Sequence, residues 1–207
     1  NWAAENIPAI LETWQLGTQH GNAVAQVLYG DYNPSGKLPM TFPRNVGQIP
    51  IYYNQLNTGR PTDKDNNVFW THYSDSEKTP LFPFGFGLSY TTFQYSDLKI
   101  NKKSFVKGET IQISVTLKNT GKYEGKEVAQ LYIHDQFASL ARPIKELKGF
   151  ELVNLKPGET KTVNFSLTEK ELGFFNNSGD FVTEPGTFKI MVGGSSDKGI
   201  SDSFELN

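Results

Sequence analysis

Thr110-Ile-Gln-Ile-Ser-Val-Thr-Leu117 alternates strictly between polar and apolar residues. Ile111, Ile113, Val115 and Leu117 fall on one face, and Gln112, Ser114 and Thr116 on the other, which is the period-two pattern of a half-buried strand. The period begins at Phe93 and recurs in Val128–His134, Leu147–Leu155, Thr160–Leu167 and Phe188–Val192. Val106-Lys-Gly108, Asn119-Thr-Gly121, Lys156-Pro-Gly158, Asn177-Ser-Gly179 and Glu184-Pro-Gly186 punctuate these segments with turn residues. About seven short alternating strands at this spacing predict an all-β antiparallel sandwich over residues 92–207. The chain has no cysteine, so an antibody-type inter-sheet disulfide is excluded. A fibronectin type III-like, immunoglobulin-type sandwich is the expected subtype.

Before residue 92 the pattern changes. Ile7-Pro-Ala-Ile-Leu-Glu-Thr-Trp14 is a short apolar run that reads as a buried strand, followed by a Gly-containing loop over 15–22. Ala23, Val24, Val27 and Leu28 then follow the spacing of one face of a short helix, with Gly30 placed as its left-handed C-terminal cap. Asn33-Pro34-Ser35-Gly36 reads as a turn and Lys37–Phe42 as a short extended piece closed by Pro43. One strand and one helix cannot build a parallel sheet covered on both faces. Residues 1–53 are therefore expected to be the end of an α/β domain. Residues 54–91 follow as a long loop, 54–80, and a connector dense in aromatics, Gly and Pro, Pro80–Tyr90. The fold class expected is mixed.

With 207 residues, 37% hydrophobic and 20% charged, the chain can bury a real core and is too apolar for disorder. A formal charge of −2 argues against nucleic acid, which requires a basic face. No apolar run approaches the roughly 18 residues of a membrane helix. The chain starts Asn1-Trp2 and its methionines are Met40 and Met191. It is therefore expected to be a mature or excised piece.

Sites were sought by chemistry. Gly85-Phe-Gly87 lacks the third Gly and the strand–helix context of a dinucleotide loop, and Ser35-Gly36-Lys37 lacks the Gly framework of a P-loop. The histidines, His20, His72 and His134, are far apart in sequence, so no metal site and no cofactor is expected. Asp63, Asp65 and Asn67 have calcium-loop spacing, but Val68 stands where such a loop needs Gly, and a solvated acidic loop is preferred. Glycoside hydrolysis needs two facing carboxyl groups, roughly 5–5.5 Å apart for retention. Asp31, Asp75 and Glu77 are available, yet nothing in their spacing pairs them, and Asp31 reads as a turn residue. Tyr52, Tyr53, Trp70, Tyr73, Phe82, Phe84, Phe86 and Tyr90 suit either sugar stacking or domain packing. Packing is preferred for Phe82–Tyr90. If Ala9–Trp14 is a parallel strand, Trp14, Gln19 and His20 lie on its ligand edge. No substrate-binding residue is assigned.

Longer motifs carry a resemblance. Leu11-Glu-Thr-Trp14 with Gly21–Pro43 resembles the final βα unit of the second domain of glycoside hydrolase family three. Pro83-Phe-Gly-Phe-Gly-Leu-Ser-Tyr-Thr91 resembles that family's link into its C-terminal domain. Arg142-Pro-Ile-Lys-Glu-Leu-Lys-Gly-Phe150 and Leu155-Lys-Pro-Gly-Glu159 resemble motifs of that domain. The likeness spans nearly the whole chain and is strongest to periplasmic bacterial β-glucosidases of the family. It implies a (β/α)₈-like barrel, an α/β sandwich and this β-sandwich in one parent, with residues 1–53 ending the α/β sandwich. It implies a retaining exo-acting parent acting on β-linked glucosides or oligosaccharides in the periplasm or outside a bacterial cell. Nucleophile and acid/base would both precede Asn1, so no catalytic residue is carried onto this segment. The family's usual Gln-Glu-Gly-Gly loop reads Gln19-His20-Gly21-Asn22 here. The sequons at Asn164 and Asn176 would be coincidental in a bacterial chain. Two rival roles remain open: a non-catalytic glycan-binding module, and a module for dimerisation of the parent. A β-xylosidase parent of the same family is a further alternative.

Overall fold

The computed structural model describes residues 1–57 and 73–207. Two short helices stand in the first part, α1 (Trp2–Asn6) and α2 (His20–Tyr29). A 3₁₀ turn over Gly17–Gln19 leads into α2, which stops at Gly30, whose φ of 84° is the left-handed cap expected from the sequence. The strand expected over Ile7–Trp14 is absent. No described strand lies beside it, and an extended segment without a partner has no ladder to satisfy its backbone groups. Asn33–Gly36 likewise forms no turn. Its Asn33 side chain bonds to distant backbone instead, as described below. Of the extended piece expected over Lys37–Phe42, Phe42 pairs with Phe82 as an isolated bridge, while Pro39 and Met40 bend the chain.

The sandwich begins at β1 (Phe93–Ile100) and continues through β2 (Ser104–Phe105), β3 (Ile111–Asn119), β4 (Gly125–Asp135), β5 (Glu146–Leu155) and β6 (Thr160–Leu167). A single helical turn, α3 (Glu169–Leu172), precedes the small hairpin of β7 (Phe174–Phe175) and β8 (Phe181–Val182). The chain closes with β9 (Gly186–Gly193) and β10 (Ile200–Leu206). One sheet has the order β1-β3-β6 and the other β2-β10-β9-β4-β5. All neighbours are antiparallel except β2 and β10.

The alternation of Ile111, Ile113, Val115 and Leu117 places all four in the core between the sheets. They meet Ala129, Leu131 and Ile133 of β4, Val163, Phe165 and Leu167 of β6, and Phe188, Ile190 and Val192 of β9 in one cluster. In β1 the register shifts between Ser96 and Lys99, where Asp97 takes a φ of 51°. This is a β-bulge at a residue type that tolerates the left-handed region. β10 has no counterpart among the expected strands. Its inward set Ile200, Phe204 and Leu206 is interrupted by Asp202, which pairs with Lys103. α3 carries a capping box, Thr168 N donating to Glu171 Oε2 at 2.8 Å, a signature visible as Thr168-Glu-Lys-Glu171.

Asn119, fully buried at the end of β3, satisfies all its side-chain hydrogen-bonding capacity. Its Nδ2 donates to Tyr123 O (2.7 Å) and Leu155 O (3.0 Å). Its Oδ1 accepts from Thr91 Oγ1 (2.7 Å) and Gly121 N (3.0 Å). The residue thus joins the start of the sandwich, the β3–β4 turn and the end of β5. Asn119→Ala leaves several of these buried groups without partners and should destabilise the chain by about 3 kcal/mol. The urea midpoint is the measurement, and a shift within error of wild type would contradict the assignment.

Candidate functional site

The chemistry-bearing side chains converge where residues 37–53 and the connector meet the outer face of the five-stranded sheet. Strand pairing starts this assembly. Phe42 N donates to Phe82 O and Leu38 N to Phe86 O, each at 2.8 Å, while Gly85 N donates back to Leu38 O at 2.8 Å. The connector turns at Phe84–Gly85, where Gly85 takes a φ of 77° and Phe86 N donates back to Pro83 O, so that the rings before, within and after the turn leave in different directions. Phe82 and Phe86 accordingly stack on each other at 5.2 Å, and Phe42 and then Trp14 extend the row by edge-on contacts at 6.3 and 6.1 Å. Phe84 points the other way and stacks on Tyr53 at 4.2 Å; Tyr53 in turn meets Tyr132 of β4 edge-on at 5.8 Å.

Polar groups follow the rings. Gln130 of β4 donates from Nε2 to Gly85 O (3.2 Å) and Gly194 O (2.7 Å), and its Oε1 accepts from the Tyr132 hydroxyl. Gly85 has a φ of 77°, and a Cβ there would stand 2.1 Å from Gln130 Oε1, so only glycine fits. Ser196 N donates to Phe84 O at 2.9 Å, and Lys145 Nζ donates to Ser196 O. Burial pushes the Lys145 ammonium below its ordinary range, against the opposing pull of Asp197. Burial likewise raises the Tyr132 phenol, with Tyr53 and Asp197 adding to it.

At one end of the sandwich Lys37 reaches Glu127 of β4, Nζ to Oε2 at 3.0 Å, with 13% and 7% of the two side chains accessible. Lys37 also donates to Gly87 O at 3.2 Å, and the Tyr95 hydroxyl of β1 donates to Glu127 Oε1 at 3.0 Å. Burial, and then the charge and hydrogen bond of Glu127, hold the Tyr95 phenol well above its usual range. Asn33 ties the same corner, donating from Nδ2 to Glu124 O (2.8 Å) and accepting at Oδ1 from Ser89 Oγ (2.8 Å) and Tyr90 N (2.9 Å). The Tyr90 hydroxyl donates to Val27 O of α2 at 2.6 Å. This is a clamp built from rings, backbone and one buried ion pair.

The sequence-derived candidates distribute unevenly around it. Phe82, Phe84, Phe86 and Tyr53 are packing residues of the clamp. Lys37 of Ser35-Gly36-Lys37 is held by Glu127. Gly85 and Gly87 serve close backbone approach. Trp14 is half exposed and takes a left-handed φ of 48°, its N–H donating to Glu12 Oε1 at 3.0 Å. Gln19 Oε1 accepts from Asn22 within the loop, and His20 opens α2, exposed. Asp31 and Asp75 are exposed and Glu77 pairs with Arg44 at 2.8 Å. His134 is half-buried on β4, its imidazole pushed below the usual range by burial and then by Lys189. Tyr52 and Tyr73 are exposed. Asp63, Asp65, Asn67, Trp70 and His72 lie outside the described residues. Among the described residues no group of three His, Asp or Glu could hold a metal. Sequence reasoning overlooked Glu127, Gln130 and Lys145. Glu127 had a signal: it shares the inward parity of Ala129, Leu131 and Ile133, where a charge needs a partner.

The glycosyl hydrolase family 3 C-terminal domain matches residues 1–90, and the fibronectin type III-like domain matches residues 127–196. A periplasmic beta-glucosidase of Salmonella typhimurium is 51% identical over 199 residues, covering 96% of this chain and 26% of that protein. A beta-xylosidase of Formosa agariphila is 52% identical over 196 residues, covering 95% of this chain and 26% of its own. The crystal structure of a beta-glucosidase from Listeria innocua in complex with glucose superposes with a TM-score of 0.90 at 43% identity, over 95% of this chain and 27% of that one. The chain thus spans about a quarter of the length of the relatives it matches.

Removing one partner of a buried ion pair strands the other charge, at about 3–5 kcal/mol. Lys37→Ala should therefore lower the urea midpoint strongly. The double change Lys37→Met with Glu127→Gln keeps an acceptor for Tyr95 and leaves no unpaired charge, so it should recover most of the loss. A double variant no more stable than Lys37→Ala would contradict the role given to the pair.

Proposed function

This chain belongs to glycosyl hydrolase family 3, and we propose that it is the C-terminal portion of a retaining exo-β-glucosidase. The parent hydrolyses terminal β-D-glucosyl residues through a glycosyl-enzyme intermediate, one carboxylate acting as nucleophile and another as acid/base. Both carboxylates belong to the part of the parent beyond this chain. The observation that carries the proposal is the agreement, over 96% of these residues at 51% identity, with a relative named a beta-glucosidase.

Within that parent the chain completes the α/β domain and clamps it to the β-sandwich. A physical observation supports this role. Helix α2 has no buried residue, and Leu28 and Tyr29 are 67% and 86% exposed, as are Trp2 and Ile10 for more than half their surface. Apolar surface of that extent on one short segment is covered when the rest of the domain packs on it. The same packing would give Ile7–Trp14 the strand neighbours it lacks. The proposal divides the chain into 1–53, 54–91 and 92–207, supported at the last boundary by the opening of β1 at Phe93. A periplasmic or extracellular location is part of it, supported by the name of the Salmonella relative.

A β-xylosidase parent is the second reading, favoured by the Formosa relative at 52% identity. Aryl β-glucoside and aryl β-xyloside, offered to the full-length parent and to the 207-residue chain alone, separate the cases. The parent should turn over the glucoside with the higher kcat/KM, and the chain alone neither. A parent that prefers the xyloside selects the second reading. One inactive on both overturns the enzyme assignment, and activity in the chain alone overturns the placement of the carboxylates.

A further inference from the structure

The two outer faces of the sandwich differ in a way that the core does not require. The three-stranded sheet turns Gln112, Ser114 and Thr116 of β3 and Thr162, Asn164 and Ser166 of β6 outward, the polar set of a face that meets water. The five-stranded sheet does not. In β5 the alternation is inverted: Glu151 takes the inward parity, opposite Ala129, while Phe150 and Leu152 take the outward one, opposite Gln130 and Val128 of β4. Phe150 is 69% exposed and Leu152 54%. An antiparallel sheet with one face in water keeps its large apolar side chains on the other face. Two of them side by side on the outside mark a surface that another body covers.

This strip adjoins the clamp at both ends. On β4, Val128 stands between Gln130, whose Nε2 donates to Gly85 O at 3.2 Å, and Lys126, whose ammonium lies 5.8 Å from the centre of the Tyr32 ring. Residues 1–90 therefore already touch the sheet on either side of it. The strip itself carries no charge, and beyond Leu152 the next outward residue of β5, Asn154, is bonded to Glu124 at 2.6 Å. It suits an apolar counter-surface. Helix α2, bare of buried residues, is tied to the same corner by the Tyr90 hydroxyl, which donates to Val27 O at 2.6 Å. The body that covers α2 is thereby brought beside the strip, and a second copy of the chain would have to reach the strip past it. We propose that Phe150, Leu152 and Val128 form the docking surface of the sandwich for the part of the parent's α/β domain beyond this chain. That domain then grips the sandwich directly as well as through the connector. The proposal rests on the reading of this chain as the C-terminal portion of a larger enzyme, since it spans 26% of the Salmonella relative.

Hydroxyl-radical footprinting, read residue by residue by mass spectrometry, compares the 207-residue chain with the full-length parent. Phe150 should be oxidised severalfold less in the parent than in the chain. Phe175, equally exposed at 69% on the β7–β8 hairpin, should react alike in both. The parent is footprinted as a monomer, verified by light scattering. Equal oxidation of Phe150 in parent and chain would overturn the proposal. Protection found only in a dimeric fraction would overturn it too, by assigning the strip to a second copy. A variant adds an energetic readout. Phe150→Thr, which keeps strand propensity, should leave the urea midpoint of the chain unchanged and lower the melting temperature of the parent by several degrees. A parent unmoved by the substitution would count equally against the docking surface. Footprinting needs no turnover, so the two readings fail separately. An active parent with an exposed Phe150 refutes the docking surface alone, whereas an inactive parent with a protected Phe150 refutes the glucosidase and leaves the docking surface standing.

Discussion

Both faces of β4 must be covered, and most of the architecture answers that demand. Its inner face, Ala129, Leu131 and Ile133, packs in the core, while its outer face presents Gln130 and Tyr132, which are also buried. A buried amide and phenol need hydrogen-bond partners, and two carbonyls meet Gln130, those of Gly85 and Gly194. The turn at Phe84–Gly85, with glycine at its left-handed position, brings the Gly85 carbonyl that close. The connector is therefore not a tether between two bodies. It is the outer layer of one and the pairing partner of the other.

Two kinds of interaction hold that layer, and they differ in what they contribute. Even half-buried, Tyr53, Phe82, Phe84 and Phe86 are worth about 1 kcal/mol or more each through surface removed from water. The Lys37–Glu127 pair has to recover the desolvation of two charges before it adds anything, and such pairs often come out near zero. The rings thus supply most of the adhesion. The ion pair and the Asn33 bonds act on geometry, since a shifted connector would strand a buried charge. An interface made this way resists sliding more than its area alone would suggest.

Each sheet of the sandwich ends in edge strands. Its outer strands β5 and β6 each set a charge, Glu151 and Lys161, at an inward-parity position, which discourages pairing with another sheet.

Strands at Ile111–Asn119, Gly125–Asp135, Glu146–Leu155 and Thr160–Leu167 were legible in the sequence, because alternation responds to a single nearby core and Gly-containing turns mark the ends. Helix α2 and its Gly30 cap were legible for the same local reason. Ile7–Trp14 was misread because an apolar run specifies burial, whereas a strand exists only beside a partner. β10 was overlooked because Asp202 breaks its inward alternation, and only the position of Lys103 makes that charge acceptable. The clamp was half legible: the density of Phe, Pro and Gly in residues 80–90 announced packing, but not which ring faces which body. Lys37 and Glu127, and Arg142 and Asp135, were unreadable as pairs. Local pattern and composition determine secondary structure because the forces involved act within a few residues. Pairing of charges and the alignment of a donor with a carboxylate depend on distances that only the folded chain decides.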